Sequence, residues 1–209
     1  MTSLDEVFGK GNVDRQLDGG TTYTYQVQAF DGSGNASGLS TTVSATTPAL
    51  PASPVNYARC GAVAGQPGCP YTTDVPADPS YPDTGGTSLT DGVYGANLYG
   101  PQWQGRNAPG TYSFTIDLGT QRTVTEIDSN WFQVLPDDVF LPPEVRYSVS
   151  TDGVNYQLVS VIDKPAISAD LQSKTYRAIN LAATGRYVKI EVDGGTAWTM
   201  TNEAEVRGS

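Results

Sequence analysis

The residue types best suited to chemistry gather first between Tyr81 and Gly92, where the chain reads Y-P-D-T-G-G-T-S-L-T-D-G. This stretch is rich in turn formers, carries two carboxylates, Asp83 and Asp91, and has no hydrophobic run, so it is a loop and not core. Carboxylates and main-chain carbonyls freed from a ladder are the hard oxygen ligands that calcium takes about six to eight at a time. The loop either holds such a cation or is a solvated turn whose acids have no task. A second acidic feature, Asp137-Asp138, invites comparison with the paired carboxylates of glycoside hydrolysis. Adjacent residues point apart, however, and Pro136-Asp137-Asp138 reads as a loop turn. The chain has no histidine, which removes the commonest general base, the commonest zinc ligand and every Ser-His or Cys-His nucleophile.

Charge narrows the partners. The formal net charge is −10, divided as −3 over residues 1–48 and −7 over residues 49–209. A field of that sign repels nucleic acid and anionic headgroups and attracts cations. No run of about 20 apolar residues is present, so no helical membrane span is expected. The opening Met1 to Glu6 lacks the charged and apolar regions of a secretion signal, and Met1 reads as the cut edge of a longer chain. Cys60 and Cys69 enclose a short segment with three glycines and a proline. A ring of this kind closes easily, and its disulfide is worth roughly 2.5–3 kcal/mol by chain entropy. A metal site on the same two thiols would need further ligands, and no histidine or third cysteine is available. A disulfide implies an oxidising, extracellular setting, so the protein is expected to be secreted.

The elements that must position these residues are all strands. From Leu17 to Ala29 the chain alternates, with Tyr23, Tyr25, Val27 and Ala29 on one face. Asp31 to Asn35 is a turn cluster, and Leu39 to Thr47 reads as a second, Thr-rich strand. Asn35-Ala36-Ser37 fits a glycosylation sequon but is more simply a turn sequence. Thr47 to Pro54 is a semi-rigid proline linker. Beyond it, Tyr112, Phe114, Ile116 and Leu118 alternate with polar residues, as do Val145, Tyr147 and Val149, and then Val188, Ile190 and Val192. No segment keeps a 3.6-residue apolar period, so an all-β sandwich or jelly roll follows.

Residues 17–47 resemble the last strands of a fibronectin type III domain, with Leu17 and Tyr23 at the corner-tyrosine positions and Asp31 to Ser37 as the turn before the final strand. The resemblance covers about half of that domain, and residues 1–16 supply no recognisable opening strands. The second part resembles the F5/8 type C module, which is discoidin-like and galactose-binding-like. The resemblance rests on the opening loop, on Thr115 to Gly119 as "IDLG", and on Arg146 to Tyr156 as "S-x-DG". It continues with Arg186 to Ile190 and ends with Trp198 to Gly208 as "W…E-x-E-V-x-G". These segments occur in family order over about 150 residues of an ordinary sandwich size. The organisation read from the chain is therefore a partial fibronectin type III-like domain over 1–47, a linker over 48–56, and a discoidin-like β-sandwich over 57–209.

The resemblance implies a structural calcium ion that ties the opening loop to the last strand. Its side-chain ligands would be Asp91 and Glu203, with Ser88, Val93 and Asn202 at the positions that supply main-chain carbonyls. Asp83 is an additional carboxylate that either joins this shell or caps a turn. The resemblance further implies a non-catalytic, glycan-binding appendage of a secreted bacterial enzyme, monomeric, with an oligo- or polysaccharide as partner and a catalytic domain elsewhere in the full-length protein.

Glycans are recognised by aromatic faces with a few planar polar groups. Trp103 between glycines and prolines is the expected surface indole, with Tyr99 and Arg106 in the same loop. Trp131 sits in an apolar stretch and is expected half in the core, and Trp198 is read as an end plug. The alternatives are an adhesion or protein-interaction module of the same fold, a small hydrolase or lyase, and an architectural spacer.

Overall fold

The computed structural model describes residues 21–48, 54–60 and 67–208. The chain divides into two compact units, residues 1–52 and 53–209. Leu17, residues 1–16 and most of the proline linker lie outside the described residues.

In the first unit, strand β1 (Thr22–Tyr25) pairs antiparallel with β2 (Val43–Thr46). The expected alternation holds at Tyr23 and Tyr25, which are half-buried between exposed threonines, but Val27 is 70% exposed. Beyond Tyr25 side chains replace ladder carbonyls. The Ser40 hydroxyl accepts from the Val27 amide at 2.9 Å and the Ser37 hydroxyl from the Ala29 amide at 3.0 Å. That substitution ends regular pairing, so the second strand is shorter than Leu39 to Thr47. The Asp31 turn forms as expected, its carboxylate accepting from the Ser33 and Asn35 amides at 2.9 Å each.

The second unit is a sandwich of two five-stranded sheets. Sheet one runs β10 (Leu171–Ala178), β7 (Glu126–Val134), β12 (Trp198–Gly208) and β3 (Val55–Asn56), with β5 (Gln104–Asn107) also pairing β12. Sheet two runs β4 (Tyr71–Thr73), β6 (Thr111–Val124), β11 (Ala183–Asp193), β8 (Glu144–Ser150) and β9 (Gln157–Asp163). The predicted inward faces are the core. Tyr112, Phe114, Ile116, Val145, Tyr147, Val188, Ile190 and Val192 of sheet two meet Ile127, Trp131, Tyr176, Ala204 and Val206 of sheet one. The Asp152 turn closes the hairpin between β8 and β9, its carboxylate accepting from the Val154 and Asn155 amides at 2.9 and 2.8 Å.

One boundary differs from the sequence expectation, and one pairing agrees with it. Val55–Asn56 pairs with β12, so the sheet includes residues of the stretch assigned to the linker. Asn56 fastens it there, its side-chain oxygen accepting from the Val206 amide at 3.1 Å. Cys60 and Cys69 are bonded, with Cα atoms 4.6 Å apart, as the sequence suggested. No helix among the described residues is long and apolar enough to cross a membrane.

Candidate functional site

Strand β12 would place Glu203 on the core face if it alternated without interruption from Met200. It does not, because the register with β7 shifts between Thr201 and Glu203, leaving Asn202 as an extra residue. A bulge of one residue flips the face of everything after it. Glu203 thereby joins Met200 on the outer face of sheet one, beneath the loop that contains Asp91.

The loop meets it with its own backbone. Ser88–Thr90 form a short 3-10 turn, and Asp91 closes the next turn by accepting from the Val93 amide at 2.8 Å. Gly92, at φ 74°, points its amide at Glu203, whose Oε2 accepts it at 2.8 Å. The positive φ favours glycine here, and any Cβ would have to displace the Arg59 guanidinium.

Glu203 is 1% exposed. Burial pushes its carboxyl up to about 8, with the Gly92 amide opposing and the Asp91 carboxylate adding to the rise. Its Oε1 is buried without a hydrogen-bond partner, and so are both amide atoms of Asn202. Unpaired buried oxygens of this kind are costly and call for a ligand, an ion or a water. Asp91, Glu203 and Asn202 carry the kind of oxygen that a hard cation takes. Among the described residues no group of three or more His, Cys, Asp or Glu comes together, so any cation here depends on two carboxylates plus carbonyl oxygens. A shallow pocket of about 240 Å³, lined by Thr84, Ser88, Asp91, Val93, Pro101 and Gln102, opens onto the loop.

Asp83 takes a different role. Its carboxylate accepts from the Ser88 hydroxyl and the Tyr71 phenol, both at 2.5 Å. Gln104 donates in turn to that phenol at 3.0 Å. Of the two roles the sequence left open, this is the turn cap, and it engages the Ser88 side chain as well.

The glycan candidates are distributed otherwise than expected. Trp103 is 1% exposed. Its ring stacks on Phe132 at 4.8 Å, and its indole N–H donates to the carbonyls of Ala96 and Leu98 at 3.1 Å each. A glycine outside the Tyr99–Arg106 loop helps to seal it: Gly95 lets the chain fold directly onto the indole, where a Cβ would collide with the ring. Arg106 is 2% exposed. Its guanidinium lies 4.4 Å over the Phe114 ring and donates from Nε to the Val75 carbonyl at 2.8 Å. It is a buried strut and presents no donor fork to solvent. Trp131 is fully buried, its N–H donating to Ser129 at 2.8 Å.

The indole with an accessible edge is Trp198, at the start of β12, half-buried where Trp103 and Trp131 are sealed. Tyr81 meets it edge-on at 5.5 Å and stacks on Tyr99 at 5.9 Å. Tyr99 donates to the Asp137 carboxylate at 2.9 Å. Asp137 and Asp138 face solvent on the 3-10 turn Leu135–Asp137, with Asp138 at φ 55° as its left-handed cap. Trp198, Tyr81, Tyr99 and Asp137 thus form one rim. Sequence reasoning named Tyr99 and passed over Tyr81, because nothing local tells which tyrosine a distant strand will leave uncovered.

No family model matches the chain, and no curated protein matches it. Solved structures do. A fucose-binding module of Streptococcus pneumoniae superposes with a TM-score of 0.51 at 14% identity, covering 77% of this chain and 99% of that one. The lectin domain of lectinolysin, solved with Lewis B antigen, gives 0.49 at 15% identity over 74% and 97% of the two chains. Chitosan-binding module 1 of a Paenibacillus sp. IK-5 chitosanase/glucanase gives 0.48 at 17% identity over 74% and 99%. The match to the fucose-binding module shows a shared fold, the discoidin-like β-sandwich expected from the sequence.

Proposed function

We propose that the chain is a non-catalytic carbohydrate-binding module with its glycan site on the rim formed by Trp198, Tyr81, Tyr99 and Asp137. The observation that carries this reading is a half-exposed indole continuous with two tyrosine rings beside a solvent-facing carboxylate. An aromatic face takes the C–H side of a pyranose while an acceptor fixes a hydroxyl. The sealed floor of Trp103 and Phe132 holds the rim in place, so ordering it on binding costs little. In a multidomain secreted polysaccharide-degrading enzyme such a module would raise the local concentration of the catalytic domain on its substrate. The exposed carboxylates on the rim turn support a binding role, and the disulfide supports an extracellular setting.

A structural calcium ion belongs to the same proposal. Asp91 and Glu203 would hold it by their carboxylates, with carbonyl oxygens at Ser88, Val93 and Asn202 completing the shell. Bound there, it would neutralise the buried Glu203 charge and fasten the loop to β12. Whether the first unit completes a fibronectin type III spacer is likewise part of this reading, supported by its two-stranded ladder and Asp31 turn.

One observation favours a protein-interaction module instead: Val154, Leu158 and Val161, at or beside edge strand β9, are 78%, 54% and 43% exposed. A glycan array probed with the full chain, with and without calcium, separates the two. Retention on one or more glycans supports the carbohydrate reading, and a blank array in both conditions removes it.

A further inference from the structure

Glu203 has a second neighbour that the sequence did not mark. Arg59 follows β3 and directly precedes Cys60. Its guanidinium lies against Gly92, the residue whose amide holds Glu203, closely enough that a Cβ there would collide with Nη1. Arg59 Nε and Nη2 are buried without hydrogen-bond partners, as are Glu203 Oε1 and the Asn202 amide. Unpaired donors and unpaired acceptors therefore surround one loop, an arrangement that direct pairing would have resolved and packing has not.

The segment that carries Arg59 is held from three sides. Tyr57 donates its amide to the Val206 carbonyl of β12 at 2.7 Å. Cys69, bonded to Cys60, donates its amide to the Ala58 carbonyl at 2.9 Å. The Thr90 hydroxyl, one residue before Asp91, donates to the Cys69 carbonyl at 2.8 Å. These bonds fix the backbone from which the Arg59 side chain reaches Gly92.

We infer that Arg59 is an internal counter-cation of the Asp91–Glu203 site, supporting the buried carboxylate when no metal is present and weakening the site for metal. This rests on the calcium reading above. With both carboxyls ionised, as a bound cation requires, two carboxylates and one guanidinium leave a net charge of −1, where the carboxylates alone would leave −2. Ligand charge count is a main determinant of calcium affinity, and a fixed positive charge inside the site repels a divalent ion through a low-dielectric medium. Arg59 is a positioning residue here, since it offers no atom that could coordinate a cation.

The test uses the full chain, titrated calorimetrically with calcium chloride and melted in chelator, as wild type, Arg59→Gln and Arg59→Lys. Arg59→Gln is expected to tighten calcium binding about tenfold or more and to lower the melting temperature in chelator. Arg59→Lys keeps the charge and stays close to wild type in both. Calcium binding by the wild type that Arg59→Gln leaves unchanged or weaker overturns the inference alone. Arg59→Gln protein that fails to fold even in excess calcium also overturns it, since a metal-loaded site needs no guanidinium. No heat and no calcium-dependent melting shift in any of the three proteins sinks the calcium reading itself, and this inference with it.

Discussion

The outer face of the β7–β12 pair has two halves made from the same two strands. At one end Phe132, Val134 and Met200 pack with Trp103 and Val139, and Tyr81, Tyr99 and Trp198 close the edge. At the other, Glu126 and Asp128 of β7 meet Glu205 and Arg207 of β12 and Arg177 of β10. Glu203 and Asn202 lie where the halves join. The aromatic half is completed by its own loop, with every indole N–H in its sealed floor partnered. The junction and the strand beside it are not: Asn130, Asn202 and Glu203 each retain a buried atom without a hydrogen-bond partner. A face that packs shut is architecture, and a face left with unpaired oxygens asks for something from outside. The half-exposed rim of the aromatic end is the exception within the shut half, and so the place to look for a soluble ligand.

The largest effect should come from breaking the aromatic floor. Trp103→Ala should destabilise the second unit by about 3–5 kcal/mol, as other buried Trp truncations do, read as a drop in its melting transition by circular dichroism. A change of less than about 1 kcal/mol would mean the loop does not depend on that indole, and the two halves would no longer differ.

Next in size is the junction. Calcium at about a hundred times its dissociation constant should stabilise the wild type by about 2.7 kcal/mol, and Glu203→Gln should abolish that response. Persistence of the full calcium shift in Glu203→Gln would move the cation elsewhere.

The charged half should also respond to pH. Burial, and then the adjoining Glu126 carboxyl, push Asp128 up to about 6, with Arg177 and Arg207 opposing. A carboxyl raised in the folded state contributes stability below its ordinary value near 4, and that contribution is lost as pH rises through about 6. Chemical denaturation between those limits should therefore show stability falling by at most about 3 kcal/mol from this group, and Asp128→Asn should flatten the slope. An equal slope in the variant would assign the dependence to another group.

Much of the sandwich was legible because alternation is a local property: the faces of β6, β8 and β11 follow from every second residue being apolar. The loop and closing segment were legible as a pair only through the order of family-like motifs. What local sequence does not carry is which side of a glycine-rich loop faces solvent. Around Trp103, glycine provides close approach and not exposure, and the partner that seals the indole, Phe132, is distant in the chain. The bulge at Asn202 and the approach of Arg59 escaped for the same reason, since each exists only once β12 is registered on its neighbours. In the first unit, Ser37 and Ser40 interrupt a pattern whose alternation alone promised longer strands.

The smallest expected effect on stability belongs to Trp198, and it is the one that bears most on the central claim. Trp198→Ala should cost about 1 kcal/mol, because the ring is only partly buried. Wild type and Trp198→Ala, probed side by side on one glycan array in calcium, provide the direct measurement. The wild type should be retained on at least one glycan and the folded variant on none. Equal retention of both proteins on the same glycan would contradict it.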